Sequence, residues 1–126
     1  MQAVVLIKNG DSRTAFQLQE LPDLVPNDTE VRIKVNAFGL NFADVMARLG
    51  RYQDCPPLPT VIGYEAVGRI DKIGKAVTGF EIGQRVLALT RFGAYATQVI
   101  AQKNAVVPIP EDMSVGTAVA LATQYC

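Results

Sequence analysis

The spacing of apolar residues along this chain is typical of a protein built from short β-strands. Met1–Lys8 is mostly apolar and ends at the turn signal Asn9-Gly10-Asp11, after which Ala15–Leu21 alternates apolar and polar side chains. Two such runs joined across a turn predict an antiparallel pair. Glu30–Phe38 alternates most regularly of all and predicts a further strand. Its two faces carry Val31, Ile33, Val35 and Ala37 on one side and Arg32, Lys34 and Asn36 on the other.

The second half of the chain continues this pattern. Strands are predicted over Val67–Ile73, Val86–Leu89, Ala94–Ala101 and Ala105–Ile109, with glycine or proline between them. The chain thus contains about seven short strands with frequent turn residues, a pattern that favours a β-barrel or a β-sandwich. The predicted fold class is therefore mainly β.

Two stretches have helical character. Phe42–Leu49 repeats apolar residues at helical spacing, with Asn41 placed to cap its start and Gly50 to end it. A second helix is predicted to begin near Ser114 and to run through Ala122. No capping residue follows it before the chain ends at Cys126, which predicts a truncated or split protein.

Composition narrows the function classes. A chain of 126 residues predicts one domain, and its 49% hydrophobic content is that of an ordinary globular protein. Twelve basic and twelve acidic residues cancel, which argues against nucleic acid and anionic membranes as partners. The apolar runs are too short for a membrane span, and no secretory signal is present. With only Cys55 and Cys126 as cysteines, a reducing cytoplasmic location is predicted.

Histidine is absent from the sequence, and this removes several kinds of active site. Ser-His-Asp and Cys-His mechanisms are excluded, and so is the most common zinc ligand. The glycines form neither a G-x-G-x-x-G nor a P-loop motif, so no phosphate-binding loop is predicted within the chain.

Polar side chains cluster where a predicted strand gives way to a loop, between residues 37 and 71. Loops held by a rigid scaffold often carry binding residues. The polar residues of this stretch are Asn41, Asp44, Arg48, Tyr52, Tyr64 and Glu65. Each also has an ordinary structural interpretation, helix capping for Asn41 and surface packing for Tyr52, and the residue pattern alone leaves both interpretations open.

The same stretch resembles a known family. Gly39-Leu40-Asn41-Phe42-Ala43-Asp44, Arg48-x-Gly50-x-Tyr52, Pro56–Pro59 before Gly63, and Gly83-Gln84-Arg85-Val86 are similar to the zinc-free quinone oxidoreductase branch of the medium-chain dehydrogenase/reductases. Within that branch the chain is most similar to the vesicle amine transport protein group. The resemblance extends over essentially the whole chain. It implies a GroES-like catalytic domain, a distorted β-barrel with short helices, over residues 1–126, ending in the helix that connects to an absent Rossmann domain.

The resemblance also implies a site. In zinc-dependent relatives a cysteine stands near the Asn41 position and a histidine in the Gly-His-Glu run, where this chain has Tyr64, so no zinc is expected. Asn41 and Tyr52 are implied as catalytic residues facing a quinone or enone substrate and the nicotinamide of NADP(H). The other implied cleft residues are Phe42, Asp44, Arg48, Tyr64 and Gln124. The fragment alone is not expected to bind the cofactor.

Two hypotheses follow from this comparison. The first is the substrate-binding half of an NADPH-dependent quinone oxidoreductase-like protein, inactive by itself. The second is a non-enzymatic GroES-like module that stands alone and binds a partner or forms a homodimer through the exposed interdomain face. The two differ in whether a nucleotide-binding domain is needed for function.

Overall fold

A computed structural model describes the backbone of residues 1–125 and the side chains of residues 1–120. The described part is mainly β, with short helices between the strands. The strands are β1 (Gln2–Leu6), β2 (Phe16–Glu20), β3 (Glu30–Phe38), β4 (Glu65–Ile73), β5 (Arg85–Leu89), β6 (Gln98–Gln102) and β7 (Val106–Pro108). The helices are α1 (Ser12–Ala15), α2 (Phe42–Arg48) and α3 (Val115–Tyr125), and Lys103–Ala105 forms a 3-10 turn.

The strands of the described residues form two antiparallel sheets. β1 and β2 make the predicted hairpin, and the other five strands lie in the order β6-β3-β4-β5-β7. Bridges from Ala3 to Ala96 and from Leu6 to Thr60 tie the hairpin to loops of the larger sheet. β3 and β4 are the longest strands, and both are inner strands of this sheet. They therefore form the rigid base from which the neighbouring loops project.

The register of β3 and β4 brings two distant parts of the sequence together. Phe38 near the end of β3 pairs with Ala66 near the start of β4, and the Gly39 N–H donates to the Glu65 carbonyl. The chain leaving β3 toward α2 therefore lies beside the first residue of β4. The predicted site residues on either side of the loop come from these two points.

Gly68 allows the same two strands to approach closely. It pairs with Val35 at a bulge in β3, and a Cβ added there would overlap the Lys34 carbonyl oxygen and lie 2.8 Å from Ile33 Cγ2. Only glycine leaves room for this backbone contact.

Apolar side chains fill both sides of the larger sheet. One cluster of buried residues runs along β3, β4 and β5 and includes Val31, Ile33, Ile70 and Val86. A second joins the hairpin to α2 and the loops through Leu6, Ala47, Ile62 and Tyr95. On the opposite face α3 packs through Ala118 onto Val67 and Leu87.

Arg32 is buried although it belongs to the polar set of the β3 alternation. It is only 9% exposed. Its guanidinium donates to both carboxylate oxygens of Asp71, at 2.8 and 3.2 Å, and to the Leu24 carbonyl oxygen. The loop that carries Leu24 covers this face of the strand, and the ion pair offsets the cost of burying the charge.

Helix α2 buries a different face from the one its sequence indicates. An amphipathic helix ordinarily buries its apolar side. In α2 the buried residues are Asp44 and Ala47, whereas Phe42 is 76% exposed, and Val45 and Leu49 are each 39% exposed. The small Ala47 lets the helix approach the Leu6 and Tyr95 cluster closely, and the Tyr95 hydroxyl donates to Asp44 Oδ2. Close packing and one hydrogen bond therefore outweigh the apolar stripe.

Candidate functional site

Asn41 lies at the junction of β3 and α2, at the N-cap position that the sequence predicts. Its backbone N–H donates to Asp44 Oδ2 at 3.0 Å, so Asp44 caps the preceding turn from within the helix. Asn41 and Asp44 form a capping box, in keeping with the position that the sequence predicts. The Asn41 amide also reaches across to β4, where Nδ2 lies 3.0 Å from each carboxylate oxygen of Glu65.

A hollow of about 340 Å³ opens beside the Asn41–Glu65 pair. The residues that line it come from the start of α2, the loop after it and the start of β4. They are Asn41, Phe42, Ala43, Tyr52, Tyr64 and Glu65. The structure thus brings together four of the seven residues that the resemblance implies for the site, Asn41, Tyr52, Phe42 and Tyr64, although their roles stay predictions.

Aromatic rings form one wall of this hollow. Tyr52 meets Tyr64 edge to face with ring centroids 6.2 Å apart, and Phe92 lies 6.3 Å from Tyr52 and 5.7 Å from Tyr64. Such offset and edge-on contacts stabilise aromatic pairs beyond the area they bury. The wall is therefore preformed and offers flat apolar surface together with phenol hydroxyls.

The Tyr64 hydroxyl is a polar group held in apolar surroundings. Its oxygen is buried and meets no hydrogen-bond partner among the side chains of residues 1–120. Burial raises the pKa of Tyr64, and the neighbouring Tyr52 phenol adds to the shift. The group therefore stays protonated at neutral pH and remains a donor. Burying a hydroxyl in such surroundings carries a desolvation cost.

Asp44 is separated from the hollow and belongs to a buried network. Its Oδ2 accepts from the Tyr95 hydroxyl at 2.9 Å as well as from Asn41 N–H, while Oδ1 meets no partner among the described side chains. Desolvation raises the pKa of Asp44, partly opposed by these two hydrogen bonds, and the Glu65 charge adds to the rise. Asp44 thus holds Asn41 and Tyr95 in place rather than lining the hollow.

Arg48 is also directed elsewhere. Its guanidinium donates to the Gly10 carbonyl oxygen, and the Asn9 amide donates to the carbonyls of Ala47 and Arg48 at the end of α2. The Asn9-Gly10 turn is therefore tied to the helix C-terminus. Arg48 lines a second, smaller hollow on the other side of α2 with Asp44 and Tyr95. The side chain of Gln124, another predicted cleft residue, lies outside the described side chains.

No local pattern in the sequence points to Tyr95 and Phe92. Both lie in the segment after β5 and contact residues of the predicted cluster only through the folding of the sheet. Glu65 was recognised as part of the polar cluster, but its contact with Asn41 depends on strand register. Among the described residues, no three His, Cys, Asp or Glu side chains converge on a metal position.

This combination of mainly β architecture and loop-borne site can be compared with known proteins. Residues 27–111 match the model of the alcohol dehydrogenase GroES-like domain. The chain belongs to this GroES-like family.

Comparison with individual proteins shows which members of the GroES-like family this chain is similar to. It is 37% identical over 126 residues to the synaptic vesicle membrane protein VAT-1 homolog-like of Mus musculus, covering 99% of this chain and 30% of that protein. Its structure matches the crystal structure of human VAT-1 homolog-like protein with a TM-score of 0.91 and 39% identity, over 95% of this chain and 38% of that one. The Escherichia coli quinone oxidoreductase complexed with NADPH matches with a TM-score of 0.88 and 28% identity, over 95% and 36% of the two chains.

These comparisons confirm two predictions for the GroES-like chain. The resemblance to quinone oxidoreductases of the medium-chain dehydrogenase/reductases is confirmed, and so is a mainly β, GroES-like fold with short helices. The chain spans about 30% of the length of the curated relatives it matches. The described helices include none with the length and apolar character needed to cross a membrane.

The buried Asp44 predicts a pH effect on the stability of the GroES-like chain. Its pKa in the folded state lies above the unfolded value of 3.8. A raised carboxyl pKa contributes stability that is present below the unfolded pKa and is lost as the pH rises through the folded pKa. The Asp44→Asn variant lacks this ionisation. We therefore expect its free energy of unfolding relative to wild type to increase as the pH is raised from about 4.

This expectation is checked by urea unfolding of both proteins at several pH values between 4 and 8. The Gln17→Ala variant is the control, because Gln17 is exposed and the substitution removes no ionisable group. A difference between Asp44→Asn and wild type that stays constant or shrinks with rising pH would contradict the prediction.

Proposed function

We propose that this chain is the substrate-binding part of an NADPH-dependent quinone oxidoreductase-like protein, with Asn41 and Tyr52 as its catalytic residues. The observation that carries the proposal is the hollow in which the Asn41 amide and the Tyr52 and Tyr64 phenols meet beside a flat aromatic wall. Residues 1–126 then constitute the GroES-like catalytic domain, and α3 leads toward a nucleotide-binding domain. By itself the chain has no NADPH-dependent turnover.

The donors of the hollow suit a carbonyl ligand. Reduction of a quinone places negative charge on oxygen, and neutral N–H and O–H donors positioned in advance stabilise such charge. The Asn41 amide and the Tyr52 hydroxyl are donors of this kind, and Glu65 is the one acidic or basic residue among the described side chains that line the hollow. A quinone or enone oxygen is therefore the acceptor that this part of the chain would bind.

The same residues suit the nicotinamide end of NADPH. A carboxamide can pair with amide and phenol groups. The bound cofactor would supply the hydride. This chain's residues would orient the ring and the acceptor, and the aromatic wall would exclude water.

Exposed apolar side chains beside the hollow fit this role. Leu40 is 78% exposed and Phe42 is 76% exposed, at the point where β3 passes into α2. Apolar residues of this size near a site favour a covering surface. A nucleotide-binding domain would supply that cover. The homodimer and the cytoplasmic location expected from the sequence stay predictions.

The proposal is tested by ligand titration of the chain followed by nuclear magnetic resonance (NMR). The probes are nicotinamide and duroquinone, whose fully methylated ring resists addition of the free Cys55 thiol. We expect chemical-shift changes only in the residues that line the hollow. We also expect Asn41→Ala or Tyr52→Phe to weaken binding about tenfold, the loss of roughly one ligand hydrogen bond.

The control is Gln17→Ala, at an exposed position of β2, which is expected to leave binding unchanged. Shift changes centred on another hollow, or unaltered binding in the Asn41→Ala variant, would overturn the proposed site. In a separate assay the chain is mixed with NADPH and duroquinone. Turnover that Tyr52→Phe abolishes would show that the chain is active without a second domain.

A further inference from the structure

Glu65 is held tightly at one edge of the hollow. It is the first residue of β4 and is only 2% exposed. A Cβ added at Gly39 would overlap Glu65 Oε1 and would lie 2.7 Å from Val119 Cγ1 of α3. The carboxylate therefore occupies space that Gly39 leaves open, and burial restricts its movement.

This fixed carboxylate determines which way the Asn41 amide faces. An ionised carboxylate offers only acceptors, so it can pair with the NH₂ end of the amide and not with its carbonyl end. Both Glu65 oxygens lie 3.0 Å from Asn41 Nδ2. The capping box with Asp44 engages the oxygen end of the same side chain. Glu65 holds the NH₂ end, so the two contacts favour one orientation of the amide.

Because both Glu65 oxygens are equally distant from Asn41 Nδ2, the contact uses one of the two amide hydrogens and leaves the other available. The oxygens of a single carboxylate subtend a much narrower angle at nitrogen than the two N–H bonds of an amide. One N–H is therefore shared between both oxygens in a three-centre hydrogen bond. The second N–H points elsewhere and meets no other acceptor among the side chains of residues 1–120. Asn41 itself lines the hollow.

We propose that Glu65 is a positioning residue that orients Asn41 so that its second N–H is directed into the hollow. Glu65 acts through Asn41 and gives the site a fixed donor at this point. The site consequently selects ligands that present a carbonyl oxygen there and disfavours ligands that present a hydroxyl or amine donor. The ligand preference rests on the proposed function, whereas the orientation of the amide is independent of it.

The orientation is tested on the wild-type chain by NMR of the Asn41 side-chain amide. We expect one δ2 proton shifted downfield by its hydrogen bond to Glu65 and the other close to the position of a free amide. Adding duroquinone should move the second proton and leave the first in place. Two δ2 protons that both lie at free-amide positions would overturn the proposal, and this measurement needs no variant.

A double-mutant cycle tests whether Glu65 acts through Asn41. The quantity measured is the affinity of each variant for duroquinone. Glu65→Gln preserves shape but can pair with either end of the Asn41 amide, so we expect about tenfold weaker binding and loss of the downfield shift. In the Asn41→Ala background the same substitution should cause no further loss. An equal loss in both backgrounds, or unaltered binding by Glu65→Gln, would contradict the proposal.

The two tests also separate this inference from the proposed function. If wild type fails to bind duroquinone, the proposed function fails, and the δ2 resonances still decide whether Glu65 orients the amide. If wild type binds but its δ2 resonances do not differ, the positioning role fails and the binding site stands. A Glu65→Gln protein that does not fold leaves the wild-type resonances as the deciding measurement.

Discussion

Replacing Gly68 with alanine is expected to lower the free energy of unfolding by about 3 kcal/mol, the upper part of the usual range for overpacking a core. The added Cβ would overlap the Lys34 carbonyl oxygen and press on Ile33 Cγ2 at 2.8 Å. Neither obstacle is a flexible side-chain end, so β3 and β4 themselves must separate. Urea unfolding of the variant measures the loss directly.

The matched control for this change is Gly116→Ala. Gly116 lies in α3, and a Cβ added there meets nothing within 4 Å. Alanine is the better helix former, so the control is expected to leave stability unchanged or to raise it by up to about 1 kcal/mol. Equal destabilisation by the two substitutions would show that the close approach at Gly68 is not what the fold requires.

Removing the carboxylate of Asp71 is expected to cost about 2–3 kcal/mol, because it leaves the buried Arg32 charge without its ionic partner. The Arg32 side chain is 11% exposed and that of Asp71 is 32% exposed, so solvent screens the pair only in part. The Leu24 carbonyl oxygen would remain as an acceptor, but it carries no charge. Chemical unfolding of Asp71→Ala measures the effect.

The double variant Arg32→Met, Asp71→Ala distinguishes loss of the pair from loss of one partner. It removes the unpaired charge and keeps the apolar stem of residue 32, so it should be more stable than Asp71→Ala alone. Lys75→Gln is the control for an exposed pair: the Lys75 and Asp28 side chains are 82% and 63% exposed, and less than about 0.5 kcal/mol is expected. A double variant less stable than Asp71→Ala would contradict this account.

Most of the fold could be predicted because its strands follow simple periodicities. Glu30–Phe38 was predicted with the bounds that the structure shows, and the hairpin of β1 and β2 was predicted from the Asn9-Gly10 turn. Local patterns failed where tertiary contacts outweighed them. Arg32 is buried by a loop that covers its strand, and α2 is oriented by Asp44 and Ala47 rather than by its apolar stripe.

The site could be predicted only in part for a related reason. Asn41, Tyr52 and Tyr64 lie close together in sequence, and a motif could point to them. Other features of the site depend on which distant segments pack together. These are the direction of the Arg48 guanidinium, the positions of Tyr95 and Phe92, and the contact of Asn41 with Glu65. None of these is encoded in local spacing.

The antiparallel register of β3 and β4 has a consequence for how such proteins can diverge. The Asn41 amide and the Glu65 carboxylate meet because Phe38 stands opposite Ala66. Side chains alternate between the faces of a strand, so inserting a single residue into β4 would swing the carboxylate to the other face. The connecting loops can lengthen or shorten without this penalty. We therefore expect a one-residue insertion in this part of β4 to be tolerated less well than the same insertion in a connecting loop.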